Sequence, residues 1–217
     1  MLAAMLVAAL GGALFPAPGT YRYTASMNGQ PIGSWSVSVT AGATQTTLDE
    51  TSSAQVLGMQ LAGTASLVLG PDLGPLHYSG RYQTPNQSPS VSVTLSGSSA
   101  TVVGALTSQP QQLALAANTQ RFVVVEPGLL AGLFALPAQM AAWKNPTVTM
   151  IIPATVQAQV LTATTSSSSP RPAGLSAQEA VLSIEHPVAL TIWYDPATMV
   201  PDEVVVPSQN AILTRVR

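Results

Sequence analysis

The sequence contains no cysteine among its 217 residues, which excludes disulfide bonds, thiolate metal sites and lipidation at a cysteine. Charged residues make up only 7% of the chain and the net charge is -2, whereas about 25% of the residues of an ordinary soluble protein are charged. Because 47% of the residues are hydrophobic, the composition is not that of a disordered chain, which combines low hydrophobicity with high net charge. We therefore expect a folded chain with a mostly neutral surface.

Basic residues are also too few and too scattered for nucleic-acid binding, which needs clustered Lys and Arg. They are Lys144 and the arginines Arg22, Arg81, Arg121, Arg171, Arg215 and Arg217. The two histidines, His77 and His186, show no paired ligand spacing, and the chain has no glycine-rich phosphate-binding motif. We predict no metal site, no cofactor, no nucleic-acid partner and no catalytic residues.

The N-terminal segment is apolar from Met1 to Phe15, which is shorter than the roughly 20 residues needed to span a bilayer. This length matches the apolar region of an export signal, and small residues around Gly11–Ala13 or Pro16–Ala17 offer cleavage points. No basic residue precedes the apolar run, so a buried N-terminal helix is the alternative. Because Pro16 to Thr20 would break such a helix, we favour an export signal over residues 1–18 and a periplasmic or extracellular location.

From Thr20 onward, hydrophobic residues alternate with Ser, Thr or Gln, which is the period of half-buried β-strands. Asn28-Gly29 separates two such runs and is a strong hairpin signal. The pattern predicts an all-β, mainly antiparallel fold of roughly a dozen strands, arranged as a curved sheet, half-barrel or barrel. We assign residues 19–217 to one domain with a flexible loop near residues 164–176, which are rich in Ser and Pro.

One segment departs from the two-residue period and predicts a short apolar helix. Five large apolar side chains recur at the spacing of one helix face: Leu129, Leu133, Leu136, Met140 and Trp143. Pro127 is well placed to start this helix, and Pro137 should kink or divide it. Such an insertion either fills the core or forms a lid over a ligand cavity.

The candidate ligand-binding residues come from this segment and from the large aromatic residues of the strands. They are Trp35, Phe122, Leu129, Leu133, Leu136, Met140, Trp143 and Trp193. Arg121 and Glu126 bracket the most apolar strand, and at the rim of a cavity they could orient an amphipathic ligand; solvation of the strand ends is the alternative. Asp49 and Glu50 are adjacent in a strand, so they should point to opposite faces and not share an acid–base site.

Several short motifs stand near the two ends of the chain: Tyr21–Tyr23, Asn28-Gly29, Ile32-Gly33, Ile192–Asp195, Met199–Pro201 and the strand patterns Glu203–Val206 and Ala211–Val216. Together they resemble an uncharacterised family of exported bacterial proteins, a domain of unknown function. The segment between Phe122 and Trp143 sits where that family has its non-β insertion. The resemblance implies a half-barrel related in shape to the carriers that move lipoproteins across the periplasm. It implies no catalytic residues, and this chain differs from that family in having almost no lysine.

These observations leave several functions open. The first is a non-catalytic envelope protein that binds an apolar or amphipathic ligand, such as a lipid or acyl chain, in the concavity of its sheet. The alternatives are an assembly module that binds another envelope protein through a sheet edge or apolar patch, and an unrecognised hydrolase. With 5% aromatic residues and many strands shorter than the ~9–11 residues that cross a bilayer, an integral membrane barrel is disfavoured.

Overall fold

The computed structural model describes residues 15–56, 58–97, 99–105, 107, 109–115, 121–165 and 171–217. Within these ranges the chain forms fifteen β-strands and one α-helix. The strands before the helix are β1 (Gly19–Met27), β2 (Gln30–Ala41), β3 (Thr46–Val56), β4 (Met59–Leu69), β5 (Pro75–Gln83), β6 (Ser90–Ser96), β7 (Ser99–Val103), β8 (Gln111–Ala114) and β9 (Phe122–Val124). Helix α1 (Ala131–Trp143) follows, and then β10 (Thr147–Ile152), β11 (Gln157–Thr165), β12 (Ala180–His186), β13 (Leu190–Asp195), β14 (Val200–Val206) and β15 (Ala211–Val216).

All these strands belong to one sheet with the order β8-β7-β6-β5-β4-β3-β2-β1-β15-β14-β13-β12-β11-β10-β9. Antiparallel pairing of β1 with β15 joins the two halves of the chain at the middle of the sheet. Neighbouring strands are antiparallel except β9 and β10, which are parallel. The predicted all-β, mainly antiparallel fold with one short helix is confirmed. Strands β7 and β8 are present in addition to the strands that the alternation of hydrophobic and polar residues predicts.

The sheet curls until its two halves face each other. Edge strand β9 contacts β5, and the 3-10 turn Pro153–Thr155 contacts β6 and β7. The side chains of the concave face fill the interior, as Trp35, Val37 and Val39 of β2 do, while the Ser and Thr residues between them face outward. The neutral surface predicted from composition is therefore the convex face of a curled sheet.

Helix α1 fills the interior along the length of the strands, about 20 Å at 1.5 Å per residue. It is buried on nearly every side, and no single face is reserved for the sheet. Close approach to β9 requires Gly132, because a Cβ atom there would lie 2.0 Å from the Val124 carbonyl oxygen. Two expectations are corrected: the helix begins at Ala131 and not at Pro127, and it continues through Pro137 without being divided.

Two predicted segments lie partly outside the described residues. Of the predicted export segment, residues 1–14 lie outside them, whereas Phe15 and Ala17 pack on the domain and the Ala17 N–H donates to the Thr198 carbonyl at 2.9 Å. Of the predicted flexible loop, residues 166–170 lie outside them. Thr164 and Thr165 do not belong to a loop, because they complete β11 and pair with β12.

Candidate functional site

One end of the curled sheet, which we call the mouth, contains two neighbouring apolar cavities. The mouth is formed by the β1–β2, β3–β4 and β12–β13 turns, the end of β5 and the 3-10 turn Pro207–Gln209. The larger cavity has a volume of about 330 Å³ and the smaller one about 180 Å³. Ligand pockets of proteins have volumes of about 300–1,000 Å³, so the larger cavity falls within the range of a small-molecule site.

The larger cavity is lined almost entirely by apolar side chains. They include Trp35, Ala54, Leu61, Leu129, Val206 and Leu213. Among the lining residues of the described ranges, Trp35, Ser52, Tyr82 and Gln209 carry polar side-chain atoms. An apolar lining with a few polar groups is typical of sites that bind organic ligands.

The smaller cavity lies on the other side of the chain segment that leads into α1. Its lining includes Met150, Leu161, Ile184, Val188 and Leu190, together with Glu126. The two cavities share Pro127, Gly128, Leu129, Leu133, Val206 and Gln209. We call residues 127–129 with Leu133 the divider, because they form the wall between the two cavities.

The divider is held by contacts that depend on small residues of the sheet. A Cβ atom on Gly63 would lie 2.7 Å from Leu129 Cδ2, and one on Gly80 would lie 3.0 Å from Leu129 Cδ1. These glycines therefore leave the space that Leu129 occupies. In the same part of the sheet, Trp35 Nε1 donates a hydrogen bond to the Gly128 carbonyl at 3.3 Å.

Glu126 is buried at the start of the divider and accepts two hydrogen bonds. Its Oε1 accepts from the Tyr82 hydroxyl, and its Oε2 accepts from the Ala154 N–H at 2.9 Å. The Tyr82 hydroxyl also lies 2.8 Å from the Pro127 carbonyl oxygen. Burial raises the pKa of Glu126, although these two hydrogen bonds oppose the rise.

Glu50 on β3 binds the N-terminus of α1 from inside the barrel. Its Oε2 accepts hydrogen bonds from the N–H groups of Leu130 and Ala131, both at 2.7 Å. A carboxyl group of the sheet thus satisfies two N–H groups at the start of the helix, where negative charge is favourable. Its Oε1 has no hydrogen-bond partner among the described residues, and the same is true of the Tyr78 hydroxyl. Burial raises the pKa of Glu50 to about 7, although the two backbone hydrogen bonds lower it.

The structure brings only part of the predicted site together. Trp35, Leu129, Leu133 and Glu126 all line a cavity at the mouth. Leu136 and Met140 are buried along α1 and line neither of these two cavities. Because the helix runs along the barrel, its apolar stripe leads away from the mouth and not across it.

Three further predicted residues lie at the opposite end of the barrel, around the β4–β5 turn. Trp143 Nε1 donates to the Asp72 carbonyl at 2.6 Å. Arg121 forms an ion pair with Asp72 at 2.6 Å, and its guanidinium lies 5.3 Å from the Trp143 ring centroid. Phe122 lines a shallow pocket with them. Arg121 and Glu126 therefore do not share a rim, because the extended chain between them covers about 16 Å at 3.3 Å per residue.

Trp193 lies on the convex face of the sheet. Ile192 points into the interior, so its neighbour in the strand points outward. Trp193 is nevertheless only 3% exposed, and the Arg171 guanidinium lies 5.6 Å from its ring centroid. Trp193 lines neither of the two cavities at the mouth.

The strand period predicts that Asp49 and Glu50 point to opposite faces, which is confirmed, but it assigns no role to Glu50 or Tyr82. Asp49 is exposed and Glu50 is 2% exposed, as their positions on opposite faces require. The two-residue period of β3 indicates that Glu50 is buried, since Leu48, Glu50 and Ala54 lie on the same face of the strand. The period does not identify the hydrogen-bond partners of Glu50, because they are 80 and 81 residues away in the chain.

Most of the basic side chains lie at the end opposite the mouth. Arg217 approaches Glu179 at 2.8 Å and Asp202 at 3.4 Å, and Arg215 approaches Asp202 at 3.2 Å. Asp202 and Glu179 are each 3% exposed at the side chain. The two ends of the barrel thus differ: one is ionic and the other is apolar.

The remaining sequence candidates form no further site. His77 is exposed and its Nδ1 lies 3.3 Å from the Thr94 hydroxyl, and His186 is exposed at the end of β12. Across the described residues, no three or more His, Asp or Glu side chains are grouped as a metal would need. A separate search of the same residues finds no helix with the length and apolar character that crossing a membrane requires.

Comparison with known proteins gives similarity in structure alone. No protein-family model matches the sequence, and no curated protein matches it. The fold is similar to the crystal structure of a β-barrel-like protein of the domain of unknown function DUF1849 from Brucella abortus, with a TM-score of 0.56, 8% identity, and coverage of 94% of this chain and 96% of that chain. A DUF1089 family protein from Pseudomonas aeruginosa aligns with a TM-score of 0.49 and 6% identity over 90% of this chain and 94% of that chain. The first similarity supports a β-barrel-like fold.

Proposed function

We propose that this protein is a non-catalytic binding protein that holds an apolar or amphipathic ligand, such as an acyl chain, in the cavities at its mouth. The observation that carries the proposal is the larger cavity of about 330 Å³, which is lined almost entirely by apolar side chains. Apolar walls of this kind favour the transfer of hydrocarbon from water.

The surroundings of the mouth support the same proposal. Large apolar side chains are exposed at this end, with Met59 at 53% and Val188 at 46%. Ser52 and Gln209 provide hydrogen-bonding groups in a mostly apolar cavity. An apolar surface around an apolar cavity is suited to a ligand that arrives from a lipid environment.

The interior beneath α1 does not take part in this binding. The helix packs on the sheet through fully buried residues such as Phe134, Ala135 and Leu136, which are all 0% exposed. The proposal therefore assigns the helix to the core and the divider to the binding site. In this account the chain that precedes α1 contacts the ligand together with Leu133 near the start of the helix, whereas the rest of α1 does not.

We further propose that the protein is exported and acts in the cell envelope. The apolar run before Phe15 supports this proposal. Because Pro16 is buried and Ala17 is hydrogen-bonded to the domain, we expect cleavage before Phe15. Intact-mass measurement of the protein from a periplasmic or culture fraction tests the export and the cleavage position together.

Native mass spectrometry with an added lipid tests the binding proposal. We expect the delipidated protein to take up one molecule of a medium-chain lipid. The variant A54L places a larger side chain in the cavity and should reduce the occupancy several-fold. Q55L adds the same side chain at the exposed neighbouring position and should bind as the wild type does. Absence of any bound lipid, or equal uptake by A54L and Q55L, would contradict the proposal.

A further inference from the structure

The charges of the barrel indicate which class of ligand the mouth accepts. We infer that the ligand carries an uncharged polar group, as an alcohol, an ester or a monoacylglycerol does, and that the mouth rejects the anionic form of a fatty acid. This inference rests on the proposed function and adds the chemical class of the ligand. It follows from where the basic side chains lie and from which polar groups reach the cavities.

No basic side chain is available to pair with an anionic head group at the mouth. All the Lys and Arg residues of the sequence lie within the described ranges, and none of them lines either cavity. Arg22 and Arg81 are exposed, and each directly precedes a tyrosine that packs on the core, Tyr23 or Tyr82. Their side chains therefore point to the convex face and not into a cavity. The other basic residues belong to the opposite end or its loops. A carboxylate or phosphate entering the cavity would lose its water shell without gaining a counter-ion.

Glu126 makes the smaller cavity less favourable still for an anion. It is 2% exposed and is the one carboxyl group among the described residues that line the two cavities. When ionised, it repels a second negative charge nearby. Both of its oxygens accept hydrogen bonds, from Tyr82 and from Ala154, and the side chain is buried. A cationic head group would therefore have to give up its water shell in order to approach it.

The polar groups that do reach the cavities suit an uncharged ligand. Gln209 lines both cavities and is exposed, so its amide can donate to an ester carbonyl or accept from a hydroxyl. Ser52 adds a hydroxyl to the wall of the larger cavity. These groups form hydrogen bonds without needing a charge on the ligand.

A comparison of three ligands with the same dodecyl chain length tests the inference. Monododecanoylglycerol, dodecanoate and dodecylammonium are titrated at pH 8 below their micellar concentrations, with displacement of an uncharged fluorescent probe as the readout. We expect monododecanoylglycerol to bind at least about ten-fold more tightly than either ion, which corresponds to about 1.4 kcal/mol. Equal or tighter binding of dodecanoate or dodecylammonium overturns the inference and leaves the proposed function standing. Failure of all three to bind overturns both.

Two variants with the same net charge locate the effect at the mouth. Q209K places an ammonium group beside both cavities and should increase the affinity for dodecanoate about ten-fold. S208K places it one residue away in the same exposed turn, where Ser208 lines neither cavity, and should leave that affinity at the wild-type value. If S208K gains as much as Q209K, or if neither gains, local charge does not determine the selectivity and the inference is wrong.

Discussion

At the residue scale, the carboxyl group of Glu50 joins the sheet to the helix. It is 2% exposed and accepts hydrogen bonds from two N–H groups at the start of α1. The helix N-terminus favours the ionised form, while burial opposes it more strongly. Glu50 therefore holds the helix in place but makes the folded state sensitive to pH.

Glu50 makes the folded state less stable as the pH rises. Because the pKa of Glu50 in the folded state is about 7, above its ordinary value of 4.5, the folded protein binds this proton more tightly than the unfolded chain. The resulting stabilisation is complete below about pH 4.5 and is lost as the pH rises through about 7. The difference between the two pKa values corresponds to a contribution on the order of 3 kcal/mol.

E50Q removes this dependence while retaining an oxygen that can accept from Leu130 and Ala131. The free energies of unfolding of E50Q and the wild type, from urea denaturation between pH 4.5 and 8.5, should diverge as the pH rises. E50Q should be the more stable protein at pH 8 by up to about 3 kcal/mol. D49N changes the exposed neighbour, which accepts from the Ser66 hydroxyl, and should follow the wild-type profile. Parallel profiles for E50Q and wild type would show that the pKa of Glu50 is not raised in the folded state.

Gly132 allows helix α1 to lie close to strand β9. In an ordinary helix, replacing Gly with Ala stabilises by about 1 kcal/mol. In this helix the new methyl group would lie 2.0 Å from the Val124 carbonyl oxygen, so α1 and β9 would have to separate. We expect G132A to be destabilised by at least about 2 kcal/mol in urea denaturation. A more stable G132A would contradict the packing of α1 against β9.

At the scale of elements, the helix is held at both of its ends. Glu50 binds its first turn, and near its last turn the Gln139 amide donates to the Leu73 carbonyl at 2.9 Å, with both residues buried. Trp143 adds a hydrogen bond to Asp72. The β4–β5 turn therefore fixes the far end of α1, and this fixes the divider at the near end.

Q139M tests this attachment because it keeps the length of the side chain and removes the donor. The Leu73 carbonyl would then be buried without a partner, which costs about 1–3 kcal/mol. We expect the loss in the free energy of unfolding to fall in that range. Q60M removes an exposed amide that donates to Ser53 and should change stability by less than about 0.5 kcal/mol. Equal effects of Q139M and Q60M would refute the attachment.

The sequence predicts these elements unevenly, for physical reasons. Strands in which buried and more exposed positions alternate, such as β2 and β3, are indicated by the two-residue period of their sequences. Strand β8 is a short edge strand with mostly exposed residues, so it leaves no such alternation. The helix predicted from the spacing of Leu129 to Trp143 is present. Which of these side chains reach a cavity depends on the direction of α1 along the barrel, and the spacing of apolar residues does not specify that direction.

At the scale of the whole molecule, the few charged residues are unevenly distributed. Ion pairs at one end include Arg121 with Asp72 and Arg217 with Glu179, whereas the mouth has apolar cavities. The neutral convex face is predicted from composition and period. The contrast between the ionic end and the apolar end is not predicted from the sequence, because it depends on which strand ends meet when the sheet curls.

The central claim is that the mouth, and not the space beneath α1, binds the ligand. A methyl NMR titration with monododecanoylglycerol tests it most directly. The account predicts saturable shifts for Leu129, Leu133 and Leu213, which line the cavities, and much smaller shifts for Leu136 and Met140. Saturable shifts confined to Leu136 and Met140 or to the exposed Val160 of β11, or no saturable shift at all, would contradict it.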